Sequence, residues 1–295
     1  MTVLIVGASG QDGHYLTRLC SEKGARVIGC GRSGPDVKLD VADFAKVESL
    51  IQDSKPDFVF HFAADSTLAH DALFSNHAAI CTGAVNILES CWRHCRGARV
   101  FLPGSAVQFE NNGLPIDEER PFQALSPYAA ARIHSVYLGR YFRSLGLRCY
   151  VGYLFHHDSP LRSPRHLSQK IAQAAVQIAA GSNEKLEVGS LAVEKEWTFA
   201  GDTVRAMWTL VSQDEVWEAA IGSGRAYPVR AWVEACFQAA GIGCEQWVKE
   251  IPGYRPDFQR LVSNPARIMR LGWQPELSLG ELAAMMVLDG RSQTR

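Results

Sequence analysis

Residues 2–13 read TVLIVGASGQDG, an apolar run that leads directly into a turn with three glycines. The apolar run predicts a buried strand, and the pattern after the turn predicts a helix. Gly7, Gly10 and Gly13 stand at GxxGxxG spacing between the two. Glycines at this spacing let the backbone turn tightly and approach a pyrophosphate, while the helix N-terminus offers free N–H groups to the phosphates. The stretch therefore predicts the strand–turn–helix unit of a dinucleotide site.

Strands and helices alternate through the first half of the chain. We expect helices at 12–22, 44–51, 79–92 and 128–145, and strands at 3–6, 26–30, 58–62, 100–102 and 149–154. Such alternation predicts a doubly wound parallel α/β sheet of the Rossmann type.

The pattern changes after about residue 156, where helices at 168–180, 202–212 and 228–240 stand among short strands. Ser278 and Glu281 predict a capping box at the start of the last helix. We expect residues 1–155 to form an NAD(P)-binding Rossmann domain, with a return to it at about 200–224. Residues 156–295 should form mainly a smaller α/β substrate-binding domain.

Composition narrows the class of protein. The 295 residues are 47% hydrophobic and 21% charged, which is typical of a globular chain and excludes disorder as the main state. The net charge of -1 provides no basic track for nucleic acid. No apolar run reaches the roughly 20 residues of a membrane helix. The N-terminus lacks a basic leader and the eight cysteines lack paired spacing, so a cytoplasmic location is expected.

The end of the second predicted strand bears on the choice of dinucleotide. An NAD site usually has an acid there to hold the ribose hydroxyls, whereas this chain has Arg32. A guanidinium suits a 2′-phosphate, which favours NADP and leaves NAD possible. Asp40, a short step further on, could accept a hydrogen bond from the adenine amino group.

Tyr128 and Arg132 lie four residues apart at the start of a predicted helix and therefore share one face. A tyrosine beside a fixed cation loses its proton more easily and can serve as a general acid or base toward a sugar hydroxyl or ketone. Ser105 follows the strand that ends at Leu102 and can hydrogen-bond the same oxygen. These three residues are the candidate catalytic group.

Several motifs together resemble the extended short-chain dehydrogenase/reductase family, and within it the GDP-mannose 4,6-dehydratase branch. The resemblance covers nearly the whole chain. Its motifs are the GQDG part of the glycine turn (10–13), FAADS (62–66), SPY (126–128), FHHDSP (155–160), the stretch from Trp197 to Trp208, YRP (254–256) and LGWQP (271–275).

The resemblance implies roles for individual positions, carried over residue by residue. Ser105, Tyr128 and Arg132 would form the catalytic triad, and the GDP part of a nucleotide sugar would contact His156, Lys170, Lys195 and Arg255. The NADP site would be lined by Gly7, Gly10, Gln11, Asp12, Gly13, Arg32, Asp40, Val41, Ala63, Ala64 and Ser66, together with Tyr128 and Arg132.

The chain departs from the family pattern at two chemical positions. The family has lysine where this chain has Arg132, which keeps the charge but presents a bulkier planar fork. The dehydratases have a glutamate two residues after the serine or threonine, and this chain has Val107. That glutamate takes the proton at carbon 5 and helps to expel the hydroxyl at carbon 6. Gln108 cannot act as that base, and Glu110 lies further along unless a bulge brings it in.

A third departure concerns assembly. The branch carries a long segment after the second strand that reaches a neighbouring subunit, whereas residues 32–40 are a short connection here. We therefore expect a homodimer built on helices around 79–95 and 128–145 rather than the family's tetramer.

The sequence thus predicts an NADP-dependent enzyme that transfers a hydride at carbon 4 of a GDP-linked hexose, as an oxidoreductase or 4-keto reductase. Two alternatives stay open, a GDP-mannose 4,6-dehydratase with its carboxylate supplied from elsewhere and a non-catalytic nucleotide-sugar binder. No metal site is predicted, because Cys91, His94 and Cys95 share a helical face without the fourth ligand that zinc needs. No GxSxG motif supports a serine hydrolase.

Overall fold

The computed structural model describes residues 1–293, with side chains described as far as Gly290. Its strands are β1 (Thr2–Val6), β2 (Arg26–Gly31), β3 (Val37–Lys38), β4 (Phe58–His61), β5 (Arg99–Ser105), β6 (Arg148–Leu154), β7 (His157–Asp158), β8 (Leu186–Val188), β9 (Glu194–Glu196), β10 (Thr198–Phe199), β11 (Glu218–Ile221), β12 (Ala226–Pro228), β13 (Val248–Glu250) and β14 (Arg260–Leu261).

Ten α-helices lie within the described residues. They are α1 (Gln11–Glu22), α2 (Phe44–Ser54), α3 (Leu73–Asn76), α4 (Gly83–His94), α5 (Pro127–Ser144), α6 (Leu167–Ala179), α7 (Ala200–Val211), α8 (Val229–Ala240), α9 (Ala266–Arg270) and α10 (Leu279–Gln293). A π-helical segment, His77–Thr82, joins α3 to α4.

Seven strands form one parallel sheet in the order β11-β6-β5-β4-β1-β2-β3. The order reverses between β1 and β4, as in the doubly wound sheets that bind dinucleotides at this switch point. The predicted fold class is confirmed. The edge strand β11 comes from the second half of the chain, and α7 packs beside α1 on the same side of the sheet.

Both faces of the sheet are covered by helices, because its strands are apolar on both sides. Leu16 of α1 and Met207 of α7 are fully buried against one face. Ile51 of α2 and Ile87 of α4 are fully buried against the other, with α5 alongside. Within residues 1–293, no helix is both long and apolar enough to cross a membrane.

A second core lies between α6, α8 and α10, beneath three small sheets. These sheets pair β12 and β14 with β9, β13 with β8, and β10 with β7. Trp197 stacks on Trp232 with ring centroids 4.7 Å apart and anchors the segment after β9 to α8. The predicted capping box is confirmed, because Ser278 N–H donates to Glu281 Oε2 at 2.8 Å and Glu281 N–H donates to Ser278 Oγ at 3.3 Å.

Candidate active site

The carboxyl ends of β1, β4, β5 and β6 meet at one edge of the main sheet, and a cavity of about 400 Å³ lies there. We call it the central cavity. It is lined by residues that follow these strands, by the start of α5 and by the small sheets. The sequence-predicted residues that line it are Gly7, Gly10, Gln11, Asp12, Gly13, Ala64, Ser66, Ser105, Tyr128, Arg132, His156 and Lys195.

A second cavity of about 390 Å³, the edge cavity, lies beside the first, between the glycine turn and the end of β2. The two cavities share Gly7, Gly10, Phe62 and Ala64. The sequence-predicted residues that line the edge cavity are Gly7, Gly10, Arg32, Asp40, Val41, Ala63 and Ala64. The pair of cavities thus spans the topological switch point on both sides of the glycine turn.

Two of the three glycines in the glycine turn, Gly7 and Gly13, have no room for a side chain. Gly7 has a φ of +90°, and a Cβ there would lie 2.8 Å from the backbone nitrogen of Ala63. A Cβ on Gly13 would lie 2.6 Å from the Cα of Ala8. The absence of these side chains leaves the N-terminus of α1 open to an anion, because its first N–H groups have no partners within the helix. The turn fits the pyrophosphate of a dinucleotide.

Arg32 is exposed at the end of β2, lines the edge cavity, and makes no ion pair with any side chain among residues 1–290. The turn after it is closed by Ser9, whose Oγ donates to the carbonyl of Ser33 at 2.6 Å. Asp40 accepts a hydrogen bond from the backbone of Ala42 at 3.0 Å. A free guanidinium in this cavity fits a 2′-phosphate.

Ser105 is the last residue of β5, which runs three residues beyond the end at Leu102 that the sequence indicated. Parallel pairing with β6 continues as far as Ser105, opposite Leu154, and carries the strand through Pro103 and Gly104. The fully buried Gln108 accepts a hydrogen bond from the Ser105 backbone N–H through its Oε1, at 2.8 Å. The backbone of Ser105 is therefore fixed by its pairing with β6 and by its hydrogen bond to Gln108.

Tyr128 lies in the first turn of α5, where Ser126 caps the helix by accepting from the Ala129 N–H at 3.1 Å. The guanidinium of Arg132 lies 5.0 Å from the centroid of the Tyr128 ring. Arg132 is 4% exposed, and its Nη1 donates to the Pro103 carbonyl at 2.9 Å. This bond links the helix that carries Tyr128 to the strand that carries Ser105.

Burial of His61, together with the Arg132 charge, lowers the pKa of this histidine to about 3. His61 is the last residue of β4 and is fully buried. The imidazole ring of His61 is therefore neutral. Of His61 and Arg132, only Arg132 carries a positive charge.

One wall of the central cavity carries two cations and a neutral histidine. His156 Nδ1 lies 2.8 Å from the Glu196 carbonyl, so this nitrogen carries the proton and Nε2 is free to accept from Lys195 Nζ at 3.1 Å. Burial lowers the pKa of His156 to about 3, and burial lowers the pKa of Lys195 to about 8. Arg162 lines the same wall.

Asp158 lies behind this wall and supports it. It is fully buried, accepts a hydrogen bond from Ser168 Oγ at 2.6 Å and pairs with Arg162 at 3.5 Å. Burial alone would raise its pKa, but the charges of Arg162 and Lys195 and the hydrogen bond from Ser168 outweigh burial and lower the pKa of Asp158. The carboxylate holds the Arg162 side chain beside the cavity.

Two predicted substrate residues lie away from the central cavity. Lys170 is on α6, and its Nζ donates to the Glu187 carbonyl at 2.8 Å, beside a separate depression on the surface. Arg255 is exposed in the loop between β13 and β14. Phe258, three residues after Arg255, lines the cavity, but Arg255 itself does not.

Sequence reasoning missed Arg162, His157 and Gln108 as parts of this site. Arg162 and His157 lie in or just after the FHHDSP motif, so the motif itself was the available signal. Gln108 stands three residues after Ser105, which is the spacing of a capping box and could have been read as one. Among residues 1–293, no group of three His, Cys, Asp or Glu side chains could hold a metal ion.

The parallel sheet, the glycine turn at its switch point and the serine–tyrosine–arginine group around one cavity define an NAD(P)-dependent enzyme of the extended short-chain dehydrogenase/reductase class. Comparisons with known proteins narrow this class. The family model for GDP-mannose 4,6 dehydratase matches residues 4–286. The chain belongs to this family.

Relatives agree with that assignment, and a solved structure shares the fold. GDP-mannose 4,6 dehydratase 2 of Arabidopsis thaliana is 30% identical over 96% of this chain and 85% of its own length. A GDP-mannose 4,6-dehydratase of Vibrio cholerae is 26% identical over 97% and 92%. The RMD protein of Pseudomonas aeruginosa, solved with NADPH, superposes with a TM-score of 0.88 at 20% identity, covering 99% of this chain and 98% of that one.

Proposed function

We propose that the chain is an NADP-dependent enzyme that transfers a hydride at carbon 4 of a GDP-linked hexose without dehydrating it. The observation that carries this proposal is the lining of the central cavity. Val107 lies in that lining, and among its described residues the single carboxylate is Asp12, which is paired with His157 at 3.0 Å. Glu110 is exposed and does not line the cavity. A dehydratase needs a free carboxylate at carbon 5.

The roles of the chain's own residues follow from their places. The bound dinucleotide supplies the hydride chemistry. Tyr128 would hold the proton that oxygen 4 of the sugar gains when a ketone is reduced, or accept it when an alcohol is oxidised. Ser105 would hydrogen-bond the same oxygen and orient it. Arg132, fixed to the Pro103 carbonyl, would place its charge beside the tyrosine and the nicotinamide ribose.

The cationic wall is the proposed place for the diphosphate of the nucleotide sugar. Lys195 and Arg162 both face the cavity, and the neutral His156 accepts a hydrogen bond from Lys195. Two cations beside a buried surface suit two phosphates, because charge-assisted hydrogen bonds are stronger than neutral ones. Lys170 and Arg255 are not part of this proposed site.

The test of the proposed function is product mass. Purified protein should be mixed with NADP and GDP-mannose, and separately with NADPH and a GDP-linked 4-keto hexose. We expect no loss of water in the first reaction and oxidation of NADPH in the second. Loss of one water from GDP-mannose would contradict the proposal and establish a dehydratase. Silence in both reactions would favour the nucleotide-sugar binder.

The dehydratase is the second candidate. The observation that favours it is the family match over residues 4–286, together with 30% identity to a relative that carries that name. For this activity a carboxylate would have to reach carbon 5 from outside the described lining, or Asp12 would have to leave His157. The local chemistry therefore favours transfer at carbon 4 alone.

The choice between NADP and NAD should depend on Arg32. Replacing it by alanine is expected to weaken NADPH binding by about tenfold or more, because a hydrogen-bonded charge pair is removed. NADH binding should stay within about twofold, since NADH lacks the 2′-phosphate. Titration of each cofactor by fluorescence measures both. The matched control is Arg26→Ala, at the other end of β2, and an equal effect of both variants would argue against a 2′-phosphate site.

Binding of GDP should depend on pH through Lys195. Because its pKa is lowered to about 8, the lysine is charged below that pH and loses its charge as pH rises. We expect the GDP dissociation constant to rise by up to about fivefold between pH 8 and pH 9, because the charged fraction of the lysine falls by about that factor. His156 stays neutral throughout and adds no slope. The Lys195→Arg variant should flatten the profile, because arginine does not titrate there; the same slope in both proteins would exclude Lys195.

We propose a homodimer with α4 and α5 at its interface. Large apolar side chains are exposed on this side of the molecule, including Val85 at 38%, Tyr137 at 57% and Phe74 at 84%. Light scattering should give twice the chain mass of 32.5 kDa, and a monomer would contradict the expectation.

A cytoplasmic location is part of the proposal, because all eight cysteines are free thiols.

A further inference from the structure

The carboxylate of Asp12 and the ring of His157 form an ion pair at the edge of the central cavity. Nε2 of His157 lies 3.0 Å from Oδ1 and 3.2 Å from Oδ2 of Asp12. Nδ1 lies 2.8 Å from the Phe155 carbonyl, which can only accept, so Nδ1 carries a proton. The contact of Nε2 with both carboxylate oxygens requires a second proton. With that second proton on Nε2, the ring is an imidazolium paired with the carboxylate.

The surroundings of the pair support this charge state. Burial disfavours an ionised imidazole, and Arg162 opposes it as well, but Asp12 outweighs both and raises the pKa of His157 above its usual value. Burial likewise disfavours the carboxylate, and His157 outweighs it, so the pKa of Asp12 is lowered. The adjacent His156 is neutral, with a pKa lowered to about 3 by burial. Of these two consecutive histidines, His156 is thus neutral and His157 is positively charged.

The position of Asp12 poses an electrostatic problem for dinucleotide binding. It lies in the first turn of α1, between Gly10 and Gly13 of the glycine turn, where the free N–H groups and the partial positive charge of the helix attract phosphates. An uncompensated carboxylate at this place would repel a pyrophosphate. A cation that neutralises it would remove the repulsion.

We propose that His157 is a positioning residue for the dinucleotide: its imidazolium neutralises Asp12 and ties the segment after β6 to the glycine turn, so that the N-terminus of α1 accepts the pyrophosphate. The proposal rests on dinucleotide binding in the paired cavities and not on which sugar reacts. It also connects the two ligand sites, because the neighbouring residue His156 contacts Lys195 in the cationic wall.

A neutral bond between the same two segments provides a matched control. Ser159 Oγ donates to Gln11 Oε1 at 2.8 Å, one residue before Asp12 and two residues after His157. Removing this bond with Ser159→Ala loosens the same contact without leaving a buried charge. If His157 only joined the two segments, His157→Gln and Ser159→Ala would weaken NADPH binding to a similar extent.

The experiment measures the NADPH dissociation constant of the full chain at pH 7 by fluorescence, with thermal unfolding as a check that each variant folds. His157→Gln keeps a hydrogen-bond donor and removes the charge, and should weaken NADPH binding by about tenfold or more because an unpaired carboxylate then faces the phosphates. Asp12→Asn in the same chain should restore binding to within about threefold of the parent. Ser159→Ala should change it by less than about twofold.

Parent-like binding by His157→Gln would overturn the proposal, and so would failure of Asp12→Asn to restore it. If His157→Gln does not fold, the single variant Asp12→Asn decides, because binding weaker than the parent's by more than about threefold contradicts charge compensation. A parent protein that binds NADPH but shows no activity would count against the proposed sugar chemistry. The NADPH titrations would still test the proposed role of His157. A parent protein that binds neither NADPH nor NADH would overturn the cofactor assignment and this proposal together.

Discussion

Replacing Tyr128 by phenylalanine should lower kcat by about 10²–10⁴-fold, because the variant keeps the ring and loses the hydroxyl that exchanges a proton with the sugar oxygen. The ring itself packs beside Arg132 and against the core around Ile80, so the fold should persist. NADPH oxidation with a GDP-linked 4-keto hexose measures the loss. The NADPH dissociation constant of the variant should stay within about threefold of the parent's.

Tyr141→Phe is the matched control for this prediction. Tyr141 lies on the same helix, α5, is 57% exposed and does not line the central cavity. It loses the same hydroxyl without touching the site, so its turnover should equal that of the parent. If Tyr128→Phe kept more than about a tenth of the parent's kcat, a group other than Tyr128 would be the acid or base.

Gly13→Ala should weaken NADPH binding by about 10²-fold, the second large effect that we expect. The new Cβ would lie 2.6 Å from the Cα of Ala8 and 2.7 Å from the carbonyl oxygens of Ala8 and Gly7. These are backbone atoms of the glycine turn, so α1 must move away from it and carry its free N–H groups out of register with the pyrophosphate. Displacements of about 1 Å cost this much where groups must be aligned.

The control for this variant is the same substitution in another helix. Gly280 lies in the first turn of α10, and a Cβ there meets nothing within 4 Å. Gly280→Ala should leave NADPH affinity unchanged and stabilise the fold by up to about 1 kcal/mol through helix propensity. Normal NADPH binding by Gly13→Ala would show that the helix and the turn need not pack closely.

The main sheet was predictable because its strands are buried on both faces and read as continuous apolar runs. The ends of the strands were less predictable. The apolar run of β5 stops at Leu102, and Pro103 and Gly104 disfavour a strand, yet pairing with β6 carries β5 on to Ser105. The π-helical segment at 77–82 left no mark in the helical pattern either.

The partners of the catalytic group show a similar division. The spacing of Tyr128 and Arg132 placed them on one helical face, and the structure has the guanidinium over the ring. That Arg132 is buried and bonded to the Pro103 carbonyl depends on how α5 packs against β5. The side chain of Lys170 is drawn instead to the Glu187 carbonyl, a partner that no local pattern indicates.

The sequence by itself determined the glycine turn and the parallel sheet of alternating strands and helices. Both features depend on residues that are close together along the chain, namely the spaced glycines and the continuous apolar runs. It also determined which groups are missing, since Val107 stands where a dehydratase has its glutamate. Only the tertiary structure decided that Asp12 is neutralised by His157, 145 positions away, and that Arg162 and Lys195 face one cavity. Charges far apart along the chain compensate one another only after folding brings them together and removes the water between them.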